Sequence, residues 1–134
     1  MHAAIVDYRN SDAYAALAPS TKKQWSRWLD RIDDHFGGLR CIQFGRTEKI
    51  RPLIRKWRHG FAGTPRTADH GMQVLSRLCA HMVDPMGVIA SNPCEGINKL
   101  YTADRSDIIW TDCQINAIKA VSTPELGLAF DLAA

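Results

Sequence analysis

At 134 residues, 46% hydrophobic and 23% charged, the chain suits one ordinary domain with a short appendage and is too short for two full domains. That balance excludes a disordered chain, and no apolar run approaches the roughly 20 residues of a bilayer span. Net charge is only +3, but residues 35–80 hold nine Lys/Arg against two Asp/Glu, between a neutral start and an acidic end, which points to a polyanion-facing surface.

The opening MHAAIVDYRNSDAY has no basic-then-apolar secretory pattern, so a soluble, cytoplasmic protein is expected. Residues 1–18 show weak periodicity and read as a lead-in segment with a helical turn around Ala13–Leu17. Ser20 or Thr21 is the predicted cap of a first long helix. Its apolar stripe is Trp25, Trp28, Leu29, Ile32 and Phe36, and Gly37-Gly38 should end it through a left-handed glycine.

A second helical pattern opens near Thr47 with Ile50, Leu53, Ile54, Trp57 and Phe61 on one face. Pro52 argues for a later start, since proline suits only the first turn. Gly60 to Gly63 breaks the pattern, and Thr64-Pro65 caps and opens a third helix with the stripe Ala68, Met72, Leu75, Cys79 and Met82. Asp84-Pro85-Met86-Gly87 ends it. Residues 98–107 read as a polar linker; Thr111 and Gln114 are spaced as a capping box for a further helix, and Thr123-Pro124 starts a last one. No alternating strand pattern appears. The predicted fold class is all-α.

On a wheel of about 100° per residue, Arg66, His70, Gln73 and Arg77 fall within about 60° of one another, opposite the core stripe of the third helix. No acid lies inside that arc, Asp69 being off its edge, whereas a merely solvated face usually mixes both signs. Such side chains reach phosphates and base edges. Arg51, Arg55 and Arg58 repeat the pattern on the second helix, where an arginine-rich solvated face is the competing reading. On the first helix Lys23, Arg27 and Arg31 align among Asp30 and Asp34, which favours internal pairing. Thr21, Lys22 and Lys23 remain phosphate candidates because they sit near a helix N-terminus.

Enzyme motifs are missing: no phosphate loop, nucleophile elbow or H-E-x-x-H occurs. The histidines are scattered, and His81 reads as a partly exposed surface residue. Cys41, Cys79, Cys94 and Cys113 lack zinc-ligand spacing, so reduced thiols are expected, with Cys79 in the core and no metal or other cofactor.

Three features in order carry a family resemblance. Thr21-Lys22-Lys23-Gln24-Trp25 leads through Trp28-Leu29 to Phe36-Gly37; a long helix spans Pro65–Met82; and Gly87-Val88-Ile89 precedes Asn92-Pro93-Cys94-Glu95-Gly96-Ile97. This set resembles the core-binding, SAM-like domain of phage-integrase-type tyrosine recombinases, and Ile109-Trp110-Thr111 resembles the start of their catalytic domain. The resemblance implies a bundle of four to five helices over residues 19–97, a linker over 98–107, and the first helices of a catalytic domain over 108–134. It also implies duplex DNA as partner, gripped as half of a clamp, and contacts with other recombinase protomers.

The family's catalytic set includes an H-x-x-R pair and a nucleophilic Tyr. None of His2, His35, His59, His70 and His81 has an Arg three residues on, and Tyr8, Tyr14 and Tyr101 precede the region where the nucleophile belongs. The expectation is therefore a DNA-binding chain without strand-transfer chemistry of its own. A helical protein–protein interaction module is the alternative.

Overall fold

In the computed structural model, which describes residues 1–102 and 111–123, the three- and four-residue spacing of apolar side chains becomes a set of one-sided helices. In chain order these are α1 (His2–Arg9), α2 (Asp12–Ala15), α3 (Pro19–Phe36), a 3-10 turn (Cys41–Gly45), α4 (Thr47–His59), α5 (Pro65–Val83) and α6 (Asp112–Val121). The chain is all-α, with no strand among the described residues. Two compact units divide it, Met1–Tyr101 and Thr102–Ala134.

In the first unit α5 is the central element, touching α1, α3 and α4. Every residue of its predicted stripe is buried, and Val74 and Leu78 are buried with them. All five stripe residues of α3 are buried too. Each large side chain withdrawn from water in this way contributes about 1.5–3 kcal/mol. The seat between α3 and α5 depends on Gly71, where an added Cβ would come within 2.6 Å of the Trp28 ring. Trp28, Trp57 and Phe61 meet edge to face beside it, with centroids 5.2–6.1 Å apart.

Several expectations need correction. Residues 2–9 are a helix rather than a lead-in, with Ala4, Ile5 and Tyr8 buried in the same core. Short and alanine-rich, α1 offers too few large apolar side chains for its period to stand out. It also draws off the carboxylates of α3: Arg9 pairs with Asp30 at 2.6 Å and His2 with Asp33 at 2.7 Å. Pairing within α3 is thus replaced by pairing between helices, and Arg27 and Arg31 are left without a carboxylate partner among the described residues. His81 is buried rather than partly exposed; its Nε2 donates to Asp7 of α1 at 2.7 Å.

Helix ends differ as well. Helix α3 begins at Pro19 with Ala18 as cap, so Ser20 and Thr21 lie inside it. Gly37 ends it with right-handed φ of −55°. Glycine is needed there for room, because a Cβ would collide with the Asp33 carbonyl and carboxylate. Left-handed glycines occur at Gly87 and Gly96. Helix α4 starts at Thr47 despite Pro52, an exposed position; Leu53 falls off its buried side, at 46% exposure. Thr64 caps α5 by position only, its hydroxyl bonding the Phe61 carbonyl instead.

In the second unit α6 has the full predicted capping box, Thr111 N–H to Gln114 Oε1 at 3.0 Å and Gln114 N–H to Thr111 Oγ1 at 3.4 Å. It buries none of its residues. The helix predicted after Thr123-Pro124 and residues 103–107 of the predicted linker lie outside the described residues; residues 98–101 of that linker belong to the first unit. No described helix is long and apolar enough to cross a membrane.

Candidate nucleic-acid interface

The outward side of α5 carries the residues singled out in the sequence, and they do not share one environment. Arg66 is exposed, its Cζ 4.7 Å from the centroid of the Tyr101 ring. One turn on, the Asp69 carboxylate accepts the backbone N–H groups of Leu100 and Tyr101, both at 2.9 Å. Residues 98–101 therefore lie along the first half of α5 and meet it through a charge-assisted clasp.

His70 turns the other way. The Trp28 indole N–H donates to its Nδ1 at 3.2 Å, with the two rings edge to face. The gap at Gly71 brings Trp28 close to the α5 backbone, and the neighbouring histidine accepts the indole N–H. His70 is thus an internal tether at its Nδ1 rather than part of one ridge with Arg66.

Gln73 and Arg77, on the second half of α5, are exposed and line a cleft of about 690 Å³ together with Ser76, Arg58, Asn98 and Lys99. Trp25, Leu17 and Met72 supply its apolar wall. Arg77 is also the neighbour of the Tyr8 hydroxyl. Burial pushes that phenol above its ordinary pKa, and the Arg77 charge opposes the shift without cancelling it.

The α4 arginines split similarly. Arg58 Nη1 donates to the Asn98 carbonyl at 2.6 Å, and Arg51 donates to that of Glu95. In both, Nε is buried without a hydrogen-bond partner. Carbonyl partners leave the guanidinium charge in place, so these side chains stay cationic while holding the chain past Asn92. Arg55 is exposed and has no ion pair among the described residues. At the start of α3, Lys22 Nζ is taken by the Ala15 carbonyl at 2.6 Å and Thr21 is half-buried, whereas Lys23 is exposed. The Lys22 backbone N–H already bonds Ala18, so Lys22 and Lys23 lie past the free donors of the helix N-terminus.

The Asn-Pro motif now has a physical reading. Asn92 Nδ2 donates to the Ser76 carbonyl at 3.0 Å and to its hydroxyl at 3.1 Å, while Asn92 Oδ1 accepts from Cys94 N at 3.0 Å. One side chain thereby ties the exit of the bundle to α5, and Pro93 is buried beneath. Cys94 meets Cys79 in the core; that contact, and then burial, push the Cys79 thiol well up, so it stays protonated at neutral pH.

The fold therefore gathers Arg58, Gln73 and Arg77 in one cleft, keeps Arg66 on the same side of α5's first half, and gives Arg51, His70 and Lys22 internal partners. Ser76, Asn98, Lys99 and the acid Asp69 belong to the same cleft and were missed. Lys99 carried no signal beyond a polar stretch; Asp69 was visible at the edge of the wheel. Chemically the cleft offers hydrogen-bond donors and positive charge. The described ion pairs are Arg9–Asp30, His2–Asp33 and His81–Asp7, none of which engages a cleft cation. Among the described residues no cluster of His, Cys, Asp or Glu could hold a metal. Comparison with family models, curated proteins and solved structures returns no match.

Proposed function

We propose that this chain binds duplex DNA as the core-binding domain of a phage-integrase-type tyrosine recombinase. The observation that carries the reading is the cleft wall itself: Arg58, Arg77 and Lys99 converge beside Gln73, and no ion pair among the described residues spends their charge. Asp69 is the one acid there, and two backbone amides already occupy it. The ordered Phe-Gly, long-helix and Asn-Pro features support the same assignment. In this reading Gln73 and Arg77 face the duplex, Arg58 and Lys99 hold phosphates, and Arg66, Arg55 and Lys23 add outer contacts. His70, Arg51 and Lys22 serve the fold. Gripping DNA as half of a clamp, meeting other protomers, and recombination or integration as the larger task belong to the same proposal.

The test is titration of the full chain onto duplex DNA at several salt concentrations. Neutralising about four phosphates gives a log–log slope near −3.6. Arg77→Ala should flatten the slope by about one unit and weaken binding on every sequence. A flat salt dependence, or unchanged affinity in that variant, removes the cleft from the interface. A protein-partner reading draws on Ile42, 69% exposed, and Val88 beside it, which line a second cleft with Arg40 and Arg46. Protection of that patch by a partner, with no protection around Arg77 by DNA, would favour it.

A further inference from the structure

A second cationic site lies away from the α5 cleft, where the last turns of α3 and α4 meet. Arg31, Asp34 and His35 from α3, with Lys56, Trp57, Gly60 and Phe61 from α4 and its exit, line an open cleft of about 570 Å³. Its floor is aromatic. Phe61 is half-buried and contacts Trp28 and Trp57 edge to face, at 5.2 and 5.5 Å. Arg31 caps this floor, its Cζ 4.8 Å from the Trp28 centroid and 5.8 Å from that of Phe61. With Asp30 and Asp33 engaged by α1, Arg31 has no carboxylate partner among the described residues, and the residue is exposed. Lys56 and His35 are exposed at the rim, as is the Asp34 carboxylate.

From this set we infer that the cleft binds an unpaired nucleotide whose base carries an exocyclic amine. A planar cation over aromatic rings is a stacking surface for a base, which any π-face can use. Lys56 and His35 supply the charge and donors that a 5′-phosphate needs. Asp34 accepts from an amino group and repels a carbonyl at the same place, so cytosine-type bases are favoured over thymine. The inference goes beyond the duplex reading and does not depend on it, because none of these residues lines the α5 cleft.

The probes are dCMP, dTMP, inorganic phosphate, a short oligo-dC strand and a hairpin-closed duplex, each added to the full chain. The Trp57 indole N–H is followed by two-dimensional NMR. A saturable shift is expected with dCMP, weaker with dTMP and absent with phosphate or the closed duplex. Arg31→Ala should weaken dCMP binding by about fivefold or more, the low end for loss of one stacking partner. Lys56→Gln, at an exposed site, provides a second variant in case the first disturbs folding. A stronger response to oligo-dC than to dCMP identifies a strand as the source of the base; equal responses identify free nucleotide. No shift with either, or a shift unchanged in both variants, overturns the inference. Loss of duplex binding in Arg77→Ala with the dCMP response intact separates the two sites.

Discussion

Helices α1 and α6 are nearly equal in length, eight residues against ten, and are held by opposite means. Helix α6 has a complete capping box and buries nothing; Val121 at its end is 87% exposed. No side chain caps α1, yet Ala4, Ile5 and Tyr8 are buried and its polar residues reach four partners on α3 and α5. Caps define where a helix begins, at about a kilocalorie each. Burial decides whether a short helix persists, since isolated helices of this length are marginal in water. The burial of α1 also bears on the proposed interface, because its Tyr8 stands beside Arg77.

The largest effect should come from breaking the burial of α1. Ile5→Ala leaves a cavity under a side chain only 2% exposed, and is expected to cost about 2–5 kcal/mol in urea denaturation of the full chain. A loss below 0.5 kcal/mol, within the range of ordinary surface changes, would make α1 as dispensable as its sequence pattern suggests. Next comes the seat between α3 and α5. Gly71→Ala drives a methyl into the Trp28 ring, and the overpacking should cost about 1–3 kcal/mol, with a displaced Trp28 indole signal. Smaller again is Arg9→Ala. Its pair with Asp30 lies at the surface, the two side chains 36% and 61% exposed, so the loss should stay below about 1 kcal/mol and fade in high salt. If Arg9→Ala cost more than Ile5→Ala, charge rather than burial would hold α1.

These helices also show how far a sequence can be read. The stripes of α3 and α5 were legible because large apolar side chains recur at three and four residues over several turns. The capping box of α6 was legible because its two partners are three residues apart. Helix α1 was not: Ala4, Ile5 and Tyr8 make one weak turn, and their burial depends on surfaces brought from α3 and α5. The candidate interface divides along the same line. A helical wheel gave the direction of Gln73 and Arg77, both of which are exposed. It could not give the fate of His70, which is set by how closely Trp28 approaches at Gly71. Nor could it foresee that Arg51 and Arg58 reach carbonyls more than 35 residues away, because nothing local brings residues 95–98 over α4.

Thr111→Ala should have the smallest effect on the molecule as a whole. It removes the hydroxyl that accepts the Gln114 N–H, and α6 should lose about 0.5–2 kcal/mol of helix stability, visible as a shift of Cα resonances toward coil over residues 112–121. The urea midpoint followed through Trp28 and Trp57 should not move, because the core around those indoles is built from residues of the first unit. A cap can only stabilise the helix it begins, whereas a buried isoleucine is shared by every element that touches it. Cooperative loss of α1 through α5 on removing one hydroxyl from α6 would therefore mean that α6 contributes to the first unit's stability, and the contrast between a capped helix and a buried one would fail.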